Sequence, residues 1–370
     1  MEEHLTSSLR LDNLRKDFQA TAAVDGISLE VPERAFLVLL GPSGCGKTTT
    51  LRMLAGLENP TGGEISFGGR TIATGDGAVL VPPAKREAGL VFQSYALWPH
   101  KTVRENIAWP LTVAKWSRDR IRERVAEVLD LLAITELADR YPGEISGGQQ
   151  QRVAIARTIA PEPKFLFFDE PLSNLDAKLR VDTRGELMRI HRATRATSVY
   201  VTHDQVEAMT MATHIALLRD GRIEQFGTPQ ELLTDPATAF TATFIGTPPA
   251  NVFPAVVENR CVSLFGVLCA PAPEGTVDGD ELQIMYRPGS LSLTGSDHDP
   301  RPVIPAVFAD QVPMADRWVV GVDLVDGTRV SVTVDEPVDH RPGDPVQIRL
   351  PELPDACFDA AGDRMRGAWS

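Results

Sequence analysis

From Ala35 to Thr50 the chain reads AFLVLLGPSGCGKTTT. The run Ala35 to Leu40 has no polar interruption, the pattern of a strand apolar on both faces and therefore covered by helices in a parallel sheet. Gly41-Pro42-Ser43-Gly44-Cys45-Gly46-Lys47-Thr48 follows, and a helix is predicted from Thr49 to Leu57. Strand, glycine-rich turn and helix form the context in which G-x-x-x-x-G-K-[ST] makes a phosphate cradle. The glycines let successive backbone N–H groups point inward, so Gly41, Pro42, Ser43, Gly44, Cys45, Gly46, Lys47, Thr48 and Thr49 form the expected lining. Lys47 supplies a mobile cation for the β and γ oxygens, and the Thr48 hydroxyl is a candidate Mg²⁺ ligand. Cys45 reads as a small filler of the loop, since no partner base stands near it in the sequence.

Working outward, Gly89–Phe92, Lys164–Phe168 and Ser198–Val201 repeat the doubly apolar strand pattern. Ile121, Val125, Val128, Leu129 and Leu132 recur at helical spacing between them. Asp220-Gly221 separates two apolar runs within Ile215 to Phe226, a hairpin signal. The pattern changes after Phe244-Ile245-Gly246-Thr247-Pro248-Pro249. Beyond it Val330, Val332 and Val334 alternate with polar neighbours, as do Val346, Ile348 and Leu350, which is all-β patterning of one or two small barrels. The expected organisation is an α/β P-loop NTPase domain over 1–245, with a helical subdomain at about 94–155, and an all-β domain over 246–370.

Composition narrows the classes. The 370 residues carry a net charge of −13, which argues against a duplex-DNA binder and leaves nucleic acid out of the expected partners. The four cysteines, Cys45, Cys261, Cys269 and Cys357, show no CxxC spacing, so a reducing compartment and no structural metal are expected. Met1-Glu2-Glu3-His4 lacks the basic start of a signal peptide, and no apolar run approaches the roughly eighteen residues of a membrane helix. Work at a membrane would go through a partner.

The strand Phe165–Phe168 ends in Asp169-Glu170. A carboxylate at a strand's carboxyl end beside a phosphate cradle suits a Mg²⁺ ligand, which gives Asp169 that role. Glu170 is then placed to polarise an attacking water. The bland alternative, a solvated turn, is weakened by the apolar residues that bury the strand. A second candidate anion site is Ile145-Ser146-Gly147-Gly148-Gln149-Gln150-Gln151-Arg152, where small residues behind a hydroxyl open a helix predicted from Gln149 to Ala160. One phosphate cradle leaves this second one without an evident ligand.

The stretch "FLFFDEPLSNLDAKLR" (Phe165 to Arg180), with "ISGGQQQR" and the P-loop, resembles the nucleotide-binding subunit of an ATP-binding cassette transporter, over residue 9 to about 245. Ile145 stands where that family usually has leucine, a change of little volume. The resemblance implies ATP and Mg²⁺ as cofactors and a head-to-tail homodimer. Ser146, Gly147, Gly148 and Gln149 would then serve the γ-phosphate held by the other copy's P-loop. It assigns Gln93 to a Mg²⁺ or water contact, His203 to the γ-phosphate and Asp176 to a loop crossing the dimer seam. Alone, Gln93 and His203 would read as structural residues at strand ends. Phe18 matches an aromatic under the adenine ring, with an ordinary core position as the alternative. The catalytic set implied is Glu170, His203, Gln93 and Lys47, and the metal set Thr48, Gln93 and Asp169.

The resemblance further implies two separate membrane permease subunits, an extracytoplasmic solute-binding protein acting indirectly, and a peripheral place at the cytoplasmic face of a prokaryotic membrane. Ser94 to His100 resembles the groove for a permease helix, in which exposed Tyr95 and Trp98 would suit the contact, or would belong to the core instead. The tail after "FIGTPPANVF" (Phe244 to Phe253) is similar to the OB-like regulatory domain of importers for sugars, sugar alcohols and glycerol phosphate. Polyamine, iron and sulfate importers have related tails. A repair-type ATPase would insert a long coiled coil before the signature, and none is present.

Overall fold

Two long strands, β1 (Ser7–Phe18) and β2 (Thr21–Pro32), open the computed structural model, which describes residues 7–19, 21–173, 177–294, 301–367 and 369. Next come β3 (Phe36–Leu40), α1 (Lys47–Ala55), β4 (Gly62–Phe67), β5 (Arg70–Thr74) and β6 (Ala88–Val91). Helices α2 (Val103–Val113), α3 (Arg118–Leu131) and α4 (Gly147–Ile159) follow, then β7 (Phe165–Asp169), α5 (Ala177–Thr194), β8 (Thr197–Val201), α6 (Gln205–Met211), β9 (His214–Arg219) and β10 (Arg222–Gly227). The chain divides into two units, residues 1–229 and 230–370.

In the first unit the parallel strands stand in the order β9-β3-β8-β7-β6, with β10 antiparallel outside β9. All five residues of β3 and all five of β8 are buried, as doubly apolar strands require. Alternation splits them between two faces. Leu37, Leu39, Phe167 and Val199 pack with Leu51 and Leu54 of α1 and with Leu11 and Ile27 of the antiparallel sheet β2-β1-β4-β5. On the other face Phe36, Phe168 and Tyr200 meet one another, and His191 of α5 stands edge-on to Phe36 at 5.1 Å. This double cover holds every parallel strand end in place.

The helical part begins with a reciprocal cap on α2, where Thr102 and Glu105 bond each other's backbone N–H groups. Buried Asn106 bonds both backbone polar groups of Trp98 and the carbonyls of Lys101 and Thr102, fixing the approach to α2. Val125, Val128 and Leu129 form the buried stripe of α3, as their spacing predicts. Helix α4 packs on α2 and on the edge strand β6.

The break between the units falls before the junction expected at 245/246, at the first residue of α7 (Pro229–Thr234). The reason is packing. Ala239 and Ala242 of α8 (Ala239–Phe244) share a small core with Met285, Ala356 and Phe358 of the all-β unit. That unit contains β11 (Asn251–Glu258), β12 (Cys261–Leu264), β13 (Val267–Pro271), β14 (Glu281–Tyr286), β15 (Ser292–Thr294), β16 (Val303–Met314), β17 (Arg317–Leu324), β18 (Arg329–Val334), β19 (Pro345–Arg349) and β20 (Ala356–Asp359). Two five-stranded antiparallel sheets, β13-β12-β11-β14-β20 and β15-β19-β16-β17-β18, share one core built from Phe253, Ile284, Tyr286, Phe308, Val320, Val332 and Ile348. Among the described residues no helix is long and apolar enough to cross a membrane.

Candidate active site

The loop after β3 is held open by glycine. Gly41 has φ +148° and a Cβ there would lie 2.2 Å from the Leu218 carbonyl oxygen; Gly46, φ +100°, would put one 2.4 Å from that of Ala23. Both close approaches exclude a side chain. Gly46 is the N-cap of α1 and offers no side-chain bond, so the first N–H groups of the helix face outward for a ligand. The helix starts at Lys47, two residues before the expected Thr49, which itself lies within its first turn. Pro42, Ser43 and Gly44 are exposed at the loop's tip.

Lys47 is only 5% exposed. Its Nζ donates to the carbonyls of Gly41 and Pro42, both at 2.8 Å, and among the described residues it pairs with no carboxylate. A buried ammonium with no carboxylate beside it is a strong attractor for an anion. Cys45 is buried, with Sγ 3.7 Å from that Nζ. Burial pushes its thiol pKa up despite the lysine, so it stays protonated and serves as filler.

The carboxyl ends of the parallel strands bring the other groups to the same edge. Thr48 Oγ1 donates to Asp169 Oδ1 at 3.2 Å. These two hard oxygen donors suit Mg²⁺ when phosphate oxygens and water complete the sphere, because among the described residues no cage of three His, Cys, Asp or Glu side chains stands ready. Burial raises the Asp169 pKa; the Thr48 bond and Arg52 oppose the shift, and the Glu170 charge adds to it. Glu170 adopts φ +44° and Oε2 lies 3.4 Å from His203 Nδ1. Its carbonyl accepts from Ser173 Oγ at 2.9 Å, and that oxygen accepts from Gln93 Nε2 at 3.1 Å. The structure thus brings Lys47, Thr48, Asp169, Glu170, His203 and Gln93 together around one strand edge.

Two buried charged neighbours of these segments carry no motif. Arg86 is buried and donates to the carbonyls of Met53 and Leu54, closing the C-terminal end of the P-loop helix, and to Val81. Glu207 is buried beneath the His203 segment and accepts from Tyr200 and Thr202. Asp204-x-x-Glu207 has the spacing of a reciprocal cap, and that spacing conceals the inward turn of Glu207. Asp204 alone caps α6.

The second helix start is built differently. Ser146 Oγ accepts from Gln149 N–H at 3.4 Å and Gln149 Oε1 from Ser146 N–H at 2.9 Å, a complete reciprocal cap. The helix accordingly starts at Gly147, two residues before the expected Gln149, and Gly148 follows in its first turn. Ser146 and Gly147 are exposed, and a Cβ on Gly147 would meet nothing within 4 Å. The β6 strand under α4 is three inter-strand spacings from β3, about 14 Å.

Phe18 ends β1 and is 46% exposed, with Lys16 Nζ 4.8 Å from its ring centroid, so it is not a core residue. Tyr95 is the opposite. It is 8% exposed, at φ +62°, and its carbonyl accepts from Arg157 at 2.9 Å, so of the two alternatives, exposed groove or core, Tyr95 takes the buried one. Trp98 is half-buried under the Arg157 guanidinium, 4.7 Å from its ring centroid. Asp176 lies outside the described residues.

The profile of the ABC transporter family matches residues 24–173. The trehalose/maltose import ATP-binding protein MalK of Thermococcus litoralis is 47% identical over 289 residues, covering 78% of this chain and 74% of that protein. The sn-glycerol-3-phosphate import ATP-binding protein UgpC of Brucella abortus biovar 1 is 44% identical over 326 residues, covering 84% and 90%. Both alignments are longer than the first unit, so the similarity continues into the all-β unit. Among solved structures, the dimeric ATP-binding cassette MJ0796 in a post-hydrolysis state with ADP and phosphate matches with TM-score 0.52 and 32% identity, over 60% of this chain and 98% of that one.

Proposed function

The chain belongs to the ABC transporter family, and on that premise we propose that it is the ATP-hydrolysing subunit of an importer for a sugar, sugar alcohol or glycerol phosphate. In this reading it lies at the cytoplasmic face of the membrane, works as one of two copies, and drives two permease subunits that receive solute from an extracytoplasmic binding protein. The names of the relatives support the cargo class.

The site residues divide the work. The outward N–H groups of α1 and the Lys47 ammonium bind and orient the phosphates of ATP. Glu170 takes a proton from the attacking water, and His203, beside its carboxylate, holds the γ-phosphate end. Gln93, joined to Glu170 through Ser173, ties this position to the entrance of the helical part. Mg²⁺, held by Thr48 and Asp169 with phosphate oxygens, would neutralise charge developing between the β and γ phosphates. Ser146, Gly147, Gly148 and Gln149 close the ATP of the second copy, and two-fold symmetry makes this mutual.

The observation that carries the shared site is the exposed, self-capped start of α4. Glu170→Gln is the test. It should retain ATP affinity, lose about 10²–10⁴-fold in turnover and give an ATP-dependent species of doubled mass in size exclusion. Turnover near the unsubstituted rate would remove Glu170 from its role. Uptake of labelled maltose against labelled glycerol 3-phosphate, in cells with and without this chain, decides the cargo.

A further inference from the structure

His203 is 59% exposed, so packing does not aim its ring. Besides the Glu170 oxygen 3.4 Å from its Nδ1, what sets its direction is the backbone on either side. Both flanks are held by one line of hydrogen bonds that ends in a buried carboxylate. Glu207 is 4% exposed, and its Oε2 accepts from Thr202 Oγ1 at 2.7 Å and from the Tyr200 hydroxyl at 2.8 Å. Thr202 Oγ1 in turn accepts from the Asp204 N–H at 3.0 Å. Thr202 directly precedes His203, and Asp204 directly follows it.

The same segment is anchored at two further points. The Thr202 N–H donates to the Leu39 carbonyl at 3.3 Å, in the strand that feeds the phosphate loop. Asp204 Oδ1 accepts from the N–H groups of Val206 and Glu207, tying the segment to the start of α6. A short exposed residue is thus suspended between fixed neighbours.

We infer that Thr202 and Glu207 are positioning residues for hydrolysis, which set the direction of His203 toward the reacting phosphate; this rests on the His203 role given under Proposed function. Tyr200 supplies the internal control. Its hydroxyl bonds the same carboxylate oxygen in an equally buried place, yet it has no bond to either neighbour of His203. Removing either hydroxyl leaves the Glu207 carboxylate one bond short and costs stability. Removing the one on Thr202 also frees the Asp204 N–H and loosens His203.

The test compares variants of the full chain by ATP affinity, kcat and melting temperature. Thr202→Val should lose about tenfold or more in kcat with ATP affinity unchanged, because small misplacements of a reacting group are costly. Thr202→Ser should restore the rate, and Tyr200→Phe should melt earlier with its kcat intact. Thr202→Ala is read alongside, in case a buried valine unfolds the chain. His203→Ala separates the two levels. The pair Thr202→Val and His203→Ala should be no slower than His203→Ala alone, since both act through one side chain. A slow His203→Ala beside a Thr202→Val that keeps its kcat overturns the positioning role and spares His203. A His203→Ala at the unsubstituted rate overturns the His203 role, and the positioning role with it.

Discussion

The starts of α1 and α4 are the same backbone device finished in opposite ways. At α1 the cap is a glycine with no side-chain bond, the loop is pressed against the carbonyls of Ala23 and Leu218, and a buried lysine stands behind it. At α4 the cap is a serine satisfied by its own glutamine, a Cβ on the glycine beside it would meet nothing within 4 Å, and the face is exposed. The first start is prepared inside one chain, with its donors left unsatisfied for a ligand. The second is stable by itself and offers a surface. On the reading proposed above, an anion site and an anion-closing surface have different surroundings, even where the local sequence recipe is shared.

The largest effect that could break this contrast is expected from alanine at the two glycines. Gly46→Ala forces a Cβ against the Ala23 carbonyl at positive φ, so stability should fall by about 1–3 kcal/mol and ATP binding should be lost. Gly147→Ala meets open space, so stability should stay within about 0.5 kcal/mol and ATP should still bind, while hydrolysis drops. Calorimetric unfolding and ATP titration of both variants check it. Equal loss of ATP binding in the two would mean that α4 serves its own nucleotide.

The next effect is smaller and confined to the base. Phe18→Ala should weaken ATP binding by about 1–3 kcal/mol, the range for losing an aromatic stacked on a base. The melting temperature should hardly move, because the ring is half-exposed and Lys16 is its described partner. A lowered melting temperature with unchanged affinity would make Phe18 part of the fold.

The strand, glycine turn and helix were legible because they must follow one another in the chain. Asp169 and Glu170 were legible because they stand where a buried strand ends, whereas His203 is singled out by the family resemblance alone. What depends on distant packing was not legible. In the sequence Tyr95 stays open between groove and core, because the partner of its backbone, Arg157, lies sixty-two positions on. Glu207 is not singled out there at all, because what buries it is its bonds to the hydroxyls of Tyr200 and Thr202. The unit boundary moved for the same reason, since alanines of α8 find their partners in strands far along the chain.

A still smaller effect separates the two starts by pH. Burial raises the Asp169 pKa above its value in the unfolded chain, so its charged form destabilises the nucleotide-free fold. This cost is full at pH above the raised value, fades as pH falls through it and is gone below the ordinary carboxylate value. Asp169→Asn keeps an acceptor for Thr48 and should raise the melting temperature at neutral pH, with the gain vanishing in acid. Differential scanning calorimetry across pH reads it. A variant that melts below the unsubstituted chain at neutral pH would show that Asp169 is a structural partner of Thr48 first. Nothing comparable is expected at α4, whose first turn carries no acidic residue.

The smallest change to the isolated chain is expected from Ser146→Asp, and it bears most directly on what the exposed start is for. Aspartate caps a helix as well as serine does, since either side-chain oxygen accepts from the N–H at the third helical position. A carboxylate also favours the positive end of the helix dipole by a few tenths of a kcal/mol. If Ser146 only caps α4, the variant should fold, bind ATP and hydrolyse it as before. If Ser146 faces a γ-phosphate, the same atoms place a negative charge against a negative charge, and closing should fail although the helix is intact. The measurement is paired. Melting temperature should stay within the shift of about 0.5 kcal/mol, and the ATP-dependent doubling of mass in the Glu170→Gln background should vanish. Ser146→Thr, which keeps the hydroxyl and adds no charge, should retain both. Doubling that survives the aspartate would leave α4 as a self-sufficient helix, and the difference between the two starts would be one of architecture alone.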